Sequence, residues 1–272
     1  MSASAKRLVD ILTIFVVVGL FSLVYLLPPD TSLAEVRRTG VLRVCLPPDY
    51  PPLITGNPEA PGVEVELLQE IAARLELRLS FNVNSAIGSD FNPRNWRVTR
   101  AQCQIIAGGV VATNTTRSFL DTTPPHLETG WVLIGRDVPA SLDGVTVGFF
   151  AGLSGRDRLA LSRLLREAGA TARVVSNRAE FIAGLREGTY AYGVTDGLLG
   201  RQIAGAEDWA IAWLSGPADR DPIAFGLWKG DLTLKRALVR ILDDLRDEGV
   251  FDDLIERYDI APIEATFGEA AP

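Results

Sequence analysis

The sequence predicts an α/β protein built on mainly parallel sheet, and three observations carry that reading. Apolar runs of strand length alternate with amphipathic helical segments from Val41 to Tyr258. Several of those runs, such as Cys103–Gly109 and Val145–Phe150, are almost wholly apolar, as strands covered on both faces are. Strands also end on small or acidic residues just ahead of helical segments, as at Gly108-Gly109, Ala151-Gly152 and Thr195-Asp196.

Taken in order, Glu35–Gly40 reads as a short helix closed by glycine, and Val41–Leu46 as a buried strand. Pro47, Pro48, Pro51 and Pro52 stop that strand in a stiff loop carrying Asp49 and Tyr50. Gly62–Glu66 leads into a helix over Leu67–Leu75, whose Leu67, Leu68, Ile71, Ala72 and Leu75 recur at three and four. Leu77–Val83 alternates as a strand, and residues 84–98 read as a polar loop or short helix. Strands follow at Cys103–Gly109, Gly130–Gly135 and Val145–Phe150. The last opens on Ala151-Gly152-Leu153-Ser154-Gly155 and a helix from Arg156 to Ala168. Arg173–Val175 is a short strand, Arg178–Glu187 a helix, and Tyr190–Val194 a strand ending at Thr195-Asp196, where another helix starts. Ile223–Trp228 is a strand, Leu232–Glu248 a long amphipathic helix with Gly249 as its cap, and Val250–Tyr258 the last helix. Residues 261–272 have no periodicity and read as a loose tail.

Composition narrows the function. With 272 residues, 47% of them hydrophobic and 22% charged, the chain is globular and long enough for one large or two modest domains. A net charge of −7 supplies no field that would draw it to nucleic acid. One histidine and two cysteines do not make a Cys/His zinc site, although carboxylate-bound metals stay open; no cofactor is expected.

The N-terminus is an export signal of some kind. Lys6 and Arg7 precede an apolar run, Leu8 to Leu27, in which only Asp10 is charged. As a helix this run is about 30 Å long, the thickness of a bilayer core. The basic side predicts a cytoplasmic N-terminus and an exported body. The run exceeds a usual cleavable core, which favours an uncleaved anchor, while Ser32-Leu33-Ala34 offers a small-x-small cleavage site.

Parallel sheets bind ligands beyond the carboxyl ends of their strands, which singles out Tyr50, Gly109–Arg117, Ala151–Ser154 and Asp196. The Arg117 guanidinium, beside a glycine- and threonine-rich segment, offers parallel N–H donors suited to a carboxylate; it is otherwise a surface residue at a helix start. Asp196 either accepts from an ammonium group or simply caps the next helix. Ala151-Gly152-Leu153-Ser154-Gly155 has the form of an anion loop, but it is neither a P-loop nor a nucleophile elbow. Tyr50 is an aromatic platform or a core residue, and Phe91 and Trp96 are weaker versions of the same idea. His126, between prolines and Leu127, has no partner serine that would suggest a catalytic triad.

The order and spacing of these segments resemble the bacterial extracellular solute-binding proteins of family 3, the polar-amino-acid receptors of ABC importers. The likeness runs from Glu35 to Tyr258. It rests on Val41–Leu46 with Asp49-Tyr50-Pro51-Pro52-Leu53, on Gly62–Leu68, on Gln104–Gly130 with Thr113, Arg117 and Asp121, on Leu142–Gly148, on Thr195-Asp196 and on Glu248–Phe251. The resemblance implies a two-lobed periplasmic-binding-protein fold of type II with a central cleft. Lobe 1 is then residues 34–133 and 227–260, lobe 2 residues 137–222, and 1–33 the signal or anchor. It implies that Arg117 holds a ligand carboxylate and Asp196 its ammonium, that Tyr50 stacks on the ligand side chain, and that Gly109, Thr113 and Ser154 add polar or backbone contacts. The implied partner is an ABC permease in the inner membrane, the compartment is the periplasm, and no catalytic residue is expected.

The chain departs from the family pattern in places. Arg117 lies one residue further from Thr113 than the usual motif has it, Val111 stands at a position where many members carry threonine, and His126-Leu127 replaces a Tyr-Tyr pair. Cys45 and Cys103 resemble cysteine placements in binding-protein-like partners of periplasmic quinoprotein alcohol dehydrogenases. They are either a disulfide or two small buried hydrophobes. The alternative to solute capture is therefore an interaction or sensor protein on the same fold, and the third reading is an enzyme such as a dehydratase.

Overall fold

The computed structural model describes residues 12–19, 30–87, 92–151, 156, 158–214, 216, 220–260, 263 and 267. Helix α1, residues 12–19, is the part of the N-terminal apolar run that is described; Leu12, Ile14, Phe15 and Val16 on it are exposed. No described helix is long and apolar enough to cross a membrane.

The body starts with α2 (Ser32–Thr39), which Gly40 closes in a left-handed conformation, its N–H returning to the carbonyls of Val36 and Arg37. β1 (Val41–Leu46), α3 (Val63–Arg74), β2 (Arg78–Val83), the 3-10 turn Pro93–Trp96, β3 (Ile105–Val111), α4 (Asn114–Phe119), β4 (Leu120–Thr122) and β5 (Leu127–Thr129) follow. β6 (Trp131–Gly135), β7 (Thr146–Phe149), α5 (Arg158–Glu167), β8 (Thr171–Val174), α6 (Arg178–Arg186), β9 (Tyr192–Asp196), α7 (Gly197–Glu207) and β10 (Ala210–Trp213) form a second unit. β11 (Asp221–Trp228), α8 (Leu232–Asp247) and α9 (Val250–Arg257) return to the first.

Two sheets result. The first runs β2-β1-β3-β11-β4, with β5 also on β11; the second runs β10-β6-β9-β7-β8. They are mixed rather than mainly parallel. β1 joins β2 and β3 in parallel, and β7 joins β8 and β9 in parallel, but β11 and β6 run antiparallel to their neighbours. The reason is topological: the chain leaves the first sheet and comes back, so the strands that cross enter each sheet from the opposite end. The ladders put the crossings at Gly130 and between Trp213 and Asp221, so Trp131–Leu133 belong to the second sheet and Asp221 and Pro222 to the first.

The central strands of each sheet are buried on both faces, while the edge strands β2 and β8 are largely exposed. The first packs one face on α3, α8 and α9 through Leu42, Leu68, Ile71, Leu238 and Leu254. Its other face carries a smaller core of Trp96, Val98, Ile106 and Leu120 around Cys45 and Cys103. Those two cysteines form a disulfide, with Cα atoms 5.6 Å apart. Cys45 pairs with Ile106 in the ladder, so Cys103, just before β3, lies diagonally opposite it. Two described residues of the C-terminal tail are attached to the second sheet: the Trp213 indole N–H donates to the Ile263 carbonyl at 2.7 Å, and the Phe267 amide to the Trp213 carbonyl at 2.7 Å.

Candidate functional site between the lobes

Asp196 ends β9 and is wholly buried. Its Oδ1 accepts from the amides of Leu198 and Leu199, each at 3.1 Å, so it caps α7 as a helix-leading aspartate does. Its Oδ2 faces the other lobe and accepts from the Tyr50 hydroxyl. Tyr50 is held there by its loop: its amide and carbonyl both pair with Ile54, forming an isolated antiparallel bridge. Sequence reasoning offered helix capping and ligand contact as rivals for Asp196. In the structure one carboxylate oxygen caps the helix and the other bonds Tyr50 of the opposite lobe.

Arg156 lies over Trp131, the ladder partner of Asp196. It is 3% exposed, its Nε donates to Asp221 Oδ2 at 2.8 Å, and its guanidinium lies over the Trp131 ring at 3.9 Å. Trp131 begins β6 and Asp221 begins β11, so one side chain is seated on both crossing strands. Burial pushes the guanidinium below its ordinary range. The charges of Asp221 and Asp196 and the phenol of Tyr50 oppose that push. Its Nη1 is buried without a hydrogen-bond partner among the described residues. Sequence analysis placed Arg156 only at the start of a helix, and no pattern marks it as part of the site.

The other expected ligand residues fall elsewhere. Thr113 caps α4, its hydroxyl accepting from the Thr116 amide at 3.2 Å. Thr116 stands three residues on, where the family motif has arginine, and is fully buried. Arg117 is rotated about a further 100° around the helix and is exposed, lining a groove with Asp121, Lys229 and Lys235. The structure thus does not bring Arg117 to Asp196. Ser154 and Phe91 lie outside the described residues. Trp96 is 1% exposed in the core around the disulfide and takes no part in the site.

Gly109 is also committed. Its amide, like that of Gly108, donates to the Glu64 carboxylate, and the His126 Nε2–H bonds Glu64 Oε1 at 2.9 Å. Glu64 and His126 side chains are both wholly buried. Gly108 and Gly109 have φ of 97° and 77°, and consecutive amides in such a turn form a nest for an anion. Only glycine fits at Gly108, since a Cβ there would sit 2.1 Å from the Pro47 ring. The nest holds the protein's own carboxylate. His126 is thus a buried structural partner of Glu64 and packs on Phe225 at 4.5 Å between ring centres. A further groove of about 600 Å³ lies where the lobes meet, lined by Pro52, His126, Leu198, Arg201, Trp213 and Ile260 among others.

Two mixed α/β lobes joined by crossing strands, with a buried carboxylate facing a tyrosine across the gap, define a two-lobed binding protein of type II. The chain belongs to the bacterial extracellular solute-binding proteins, family 3, whose model matches residues 42–260. The fold is similar to that of an ABC uptake transporter substrate-binding protein from Streptococcus pneumoniae with bound histidine. That likeness has a TM-score of 0.67 at 15% identity, over 86% of this chain and 98% of that one. It is also similar to a mutant of ArgBP from T. maritima, with a TM-score of 0.63 at 21% identity over 85% of this chain and 100% of the other. An ancestral amino-acid-binding protein described as a precursor of cyclohexadienyl dehydratase has a TM-score of 0.62 at 19% identity, over 84% and 99%. No curated protein sequence matches the chain.

Proposed function

We propose that the protein captures a small amino acid or related carboxylate between its lobes and delivers it to an ABC permease in the inner membrane. Asp196 carries this reading. It is a fully buried carboxylate with one oxygen spent on its own helix and the other turned toward the opposite lobe, so it is placed to accept from a cation held between them. The family and the histidine-bound relative support an amino acid as the class of ligand. Capture is by hinge closure about the two crossings, with Tyr50 closing over the ligand. Calorimetric titration of the full chain in detergent with the twenty amino acids and common dicarboxylates tests it, and micromolar or tighter binding of one class is the expected result. One observation favours a second reading, a binding-protein-like partner of a periplasmic quinoprotein dehydrogenase: Tyr50–Asp196 and Arg156–Asp221 already span the site with the protein's own side chains. Absence of heat from a folded protein would select that reading.

α2 begins at Ser32, inside the small-x-small site, and is built into lobe 1. The Ser32 and Thr233 hydroxyls bond at 3.1 Å, and Asp30 accepts from the amides of both Ser32 and Thr233. Cutting after Ala34 would remove these bonds and the first turn of the helix. We infer that the chain is not cut there and stays tethered in the periplasm by its N-terminal segment. Intact mass of the exported protein tests this, and a mature N-terminus at Glu35 would overturn it.

A further inference from the structure

We propose that Arg156, and not Arg117, receives the carboxylate of the captured molecule, so that both charges of an α-amino acid head group are gripped from the lobe-2 side of the cleft. This rests on the capture reading above. Three observations carry it. The guanidinium is buried and fixed on two sides, by the ion pair to Asp221 and by the face of Trp131, while Nη1 has no partner among the described residues. An unused N–H on a buried cation is costly to leave unpaired, and a carboxylate is the acceptor a guanidinium fork fits best. The Trp131 ring under the guanidinium belongs to the ladder partner of Asp196, whose Oδ2 bonds Tyr50, so the open donor lies in the same site as the carboxylate that would take an ammonium. Arg117, meanwhile, is on the exposed side of α4, and buried Thr116 occupies the inward position.

The arrangement has a functional consequence. With Asp196 and Arg156 both preceding or opening elements of the second sheet's unit, the zwitterion docks there first, and Tyr50 arrives with lobe 1 as the lobes close. The Tyr50 hydroxyl now occupies the Asp196 oxygen that an ammonium would take. The ligand therefore replaces an existing inter-lobe bond instead of filling an empty space.

The test is calorimetric titration of the detergent-solubilised full chain, after exhaustive dialysis, with the amino acid that binds the native protein best and with its carboxamide. Arg156→Met should weaken amino-acid binding by about 100-fold or more, the scale for truncating one partner of a buried charge pair. The native preference for the free acid over the carboxamide should vanish with it, a change that loosened packing alone would not produce. Arg156→Lys, which keeps the charge for Asp221 but not the fork, serves if the methionine variant fails to fold; it should bind weakly and discriminate poorly. Arg117→Met should bind within about threefold of native, as truncating an exposed charge does. Loss of binding in Arg117→Met, or retained preference for the free acid in both Arg156 variants, would overturn the assignment to Arg156. Failure of the native chain to bind any amino acid would instead remove the capture reading, and this inference with it.

Discussion

Removing the Cys45–Cys103 disulfide should destabilise lobe 1 by about 4 kcal/mol. The bond spans 58 residues and closes a loop containing α3, β2 and the Pro93–Trp96 turn. In the chain-entropy model the cost of closing such a loop is about 14 cal/mol/K, which at room temperature is the figure above. Both sulfurs are buried, and the cysteines pack with Trp96, Val98 and Ile106, so a double alanine variant also leaves a small cavity. Spread over a body of this size, a loss of that order lowers Tm by roughly 8–16 °C. Guanidinium unfolding followed by tryptophan fluorescence is the assay. Trp96 lies inside the bridged loop, and the Trp228 indole N–H donates to the Cys103 carbonyl at 2.7 Å, so the signal comes from the region affected. The alanine variant and the native protein under reductant should fall to similar midpoints. A shift in the alanine variant worth less than about 1 kcal/mol, well under the loop estimate, would refute the reasoning. So would a reduced protein with two titratable thiols and an unmoved midpoint.

Glu64→Ala should cost about 3–5 kcal/mol, because it strands His126 and the Gly108 and Gly109 amides in a dry interior; equilibrium unfolding reads it, and a cost under about 1 kcal/mol would show that water replaces the carboxylate. Gly130→Ala places a Cβ 2.6 Å from the Trp213 ring at one crossing and should cost about 1–3 kcal/mol while altering closure, seen as a change in radius of gyration on adding ligand. Asp196→Asn keeps an oxygen for the α7 cap but removes the charge, so Tm should move little while amino-acid binding falls by about 100-fold. Burial raises the Asp30 carboxyl, but hydrogen bonds from Thr233 and Ser32 outweigh it and hold it at about 2, below its ordinary 3.8. Its contribution is therefore present above pH 3.8 and lost as pH falls toward 2. Native protein should lose stability across that window more steeply than Asp30→Asn, and equal slopes in acid titration would refute a stabilising role for these bonds.

The alternation of strands and helices was legible because it depends on local periodicity. β1, β3, β7, β9 and the long amphipathic α8 all fall where their apolar patterns place them. β4 and β5 were not legible: each is three residues long and exists only by pairing with β11, a contact about a hundred residues away. The antiparallel entry of β6 and β11 likewise depends on where the chain crosses, which no window of sequence records. The buried Glu64 did leave a signal. It precedes Leu67 and Leu68 by three and four residues, so it lies on the same helical stripe as the core, where a carboxylate must find donors. Strand ends mark Tyr50 and Asp196, which the structure brings together. Arg117 lies a single residue of helix rotation from the inward position on α4, which Thr116 holds. No sequence pattern marks Arg156, because its burial comes from Trp131 and Asp221, which sequence leaves far apart.

In the proposed capture, the charges at this site supply discrimination more than affinity. A ligand ammonium that displaces the Tyr50 hydroxyl from Asp196 exchanges a neutral donor for a charged one. Hydrogen bonds to charged groups contribute about 1.5–3 kcal/mol against 0.5–1.5 for neutral ones, so the exchange gains about 1 kcal/mol or a little more. A carboxylate taking the open Arg156 Nη1 gains a similar increment and relieves a buried unpaired donor. Each favours a zwitterion over the relative lacking that one charge by roughly tenfold, and together they favour it over a relative lacking both by roughly 100-fold, since each 1.4 kcal/mol is tenfold. Micromolar binding needs about 8 kcal/mol in all. Most of that must come from surface buried when the lobes close on the ligand's side chain, with Tyr50 as the aromatic face available to it. In the proposed capture the ligand's head is therefore selected by Asp196 and Arg156, and its affinity set by what lies between Tyr50 and the second lobe. Variants of Tyr50 should accordingly reorder the amino acids by side chain while leaving the requirement for a free ammonium and carboxylate intact.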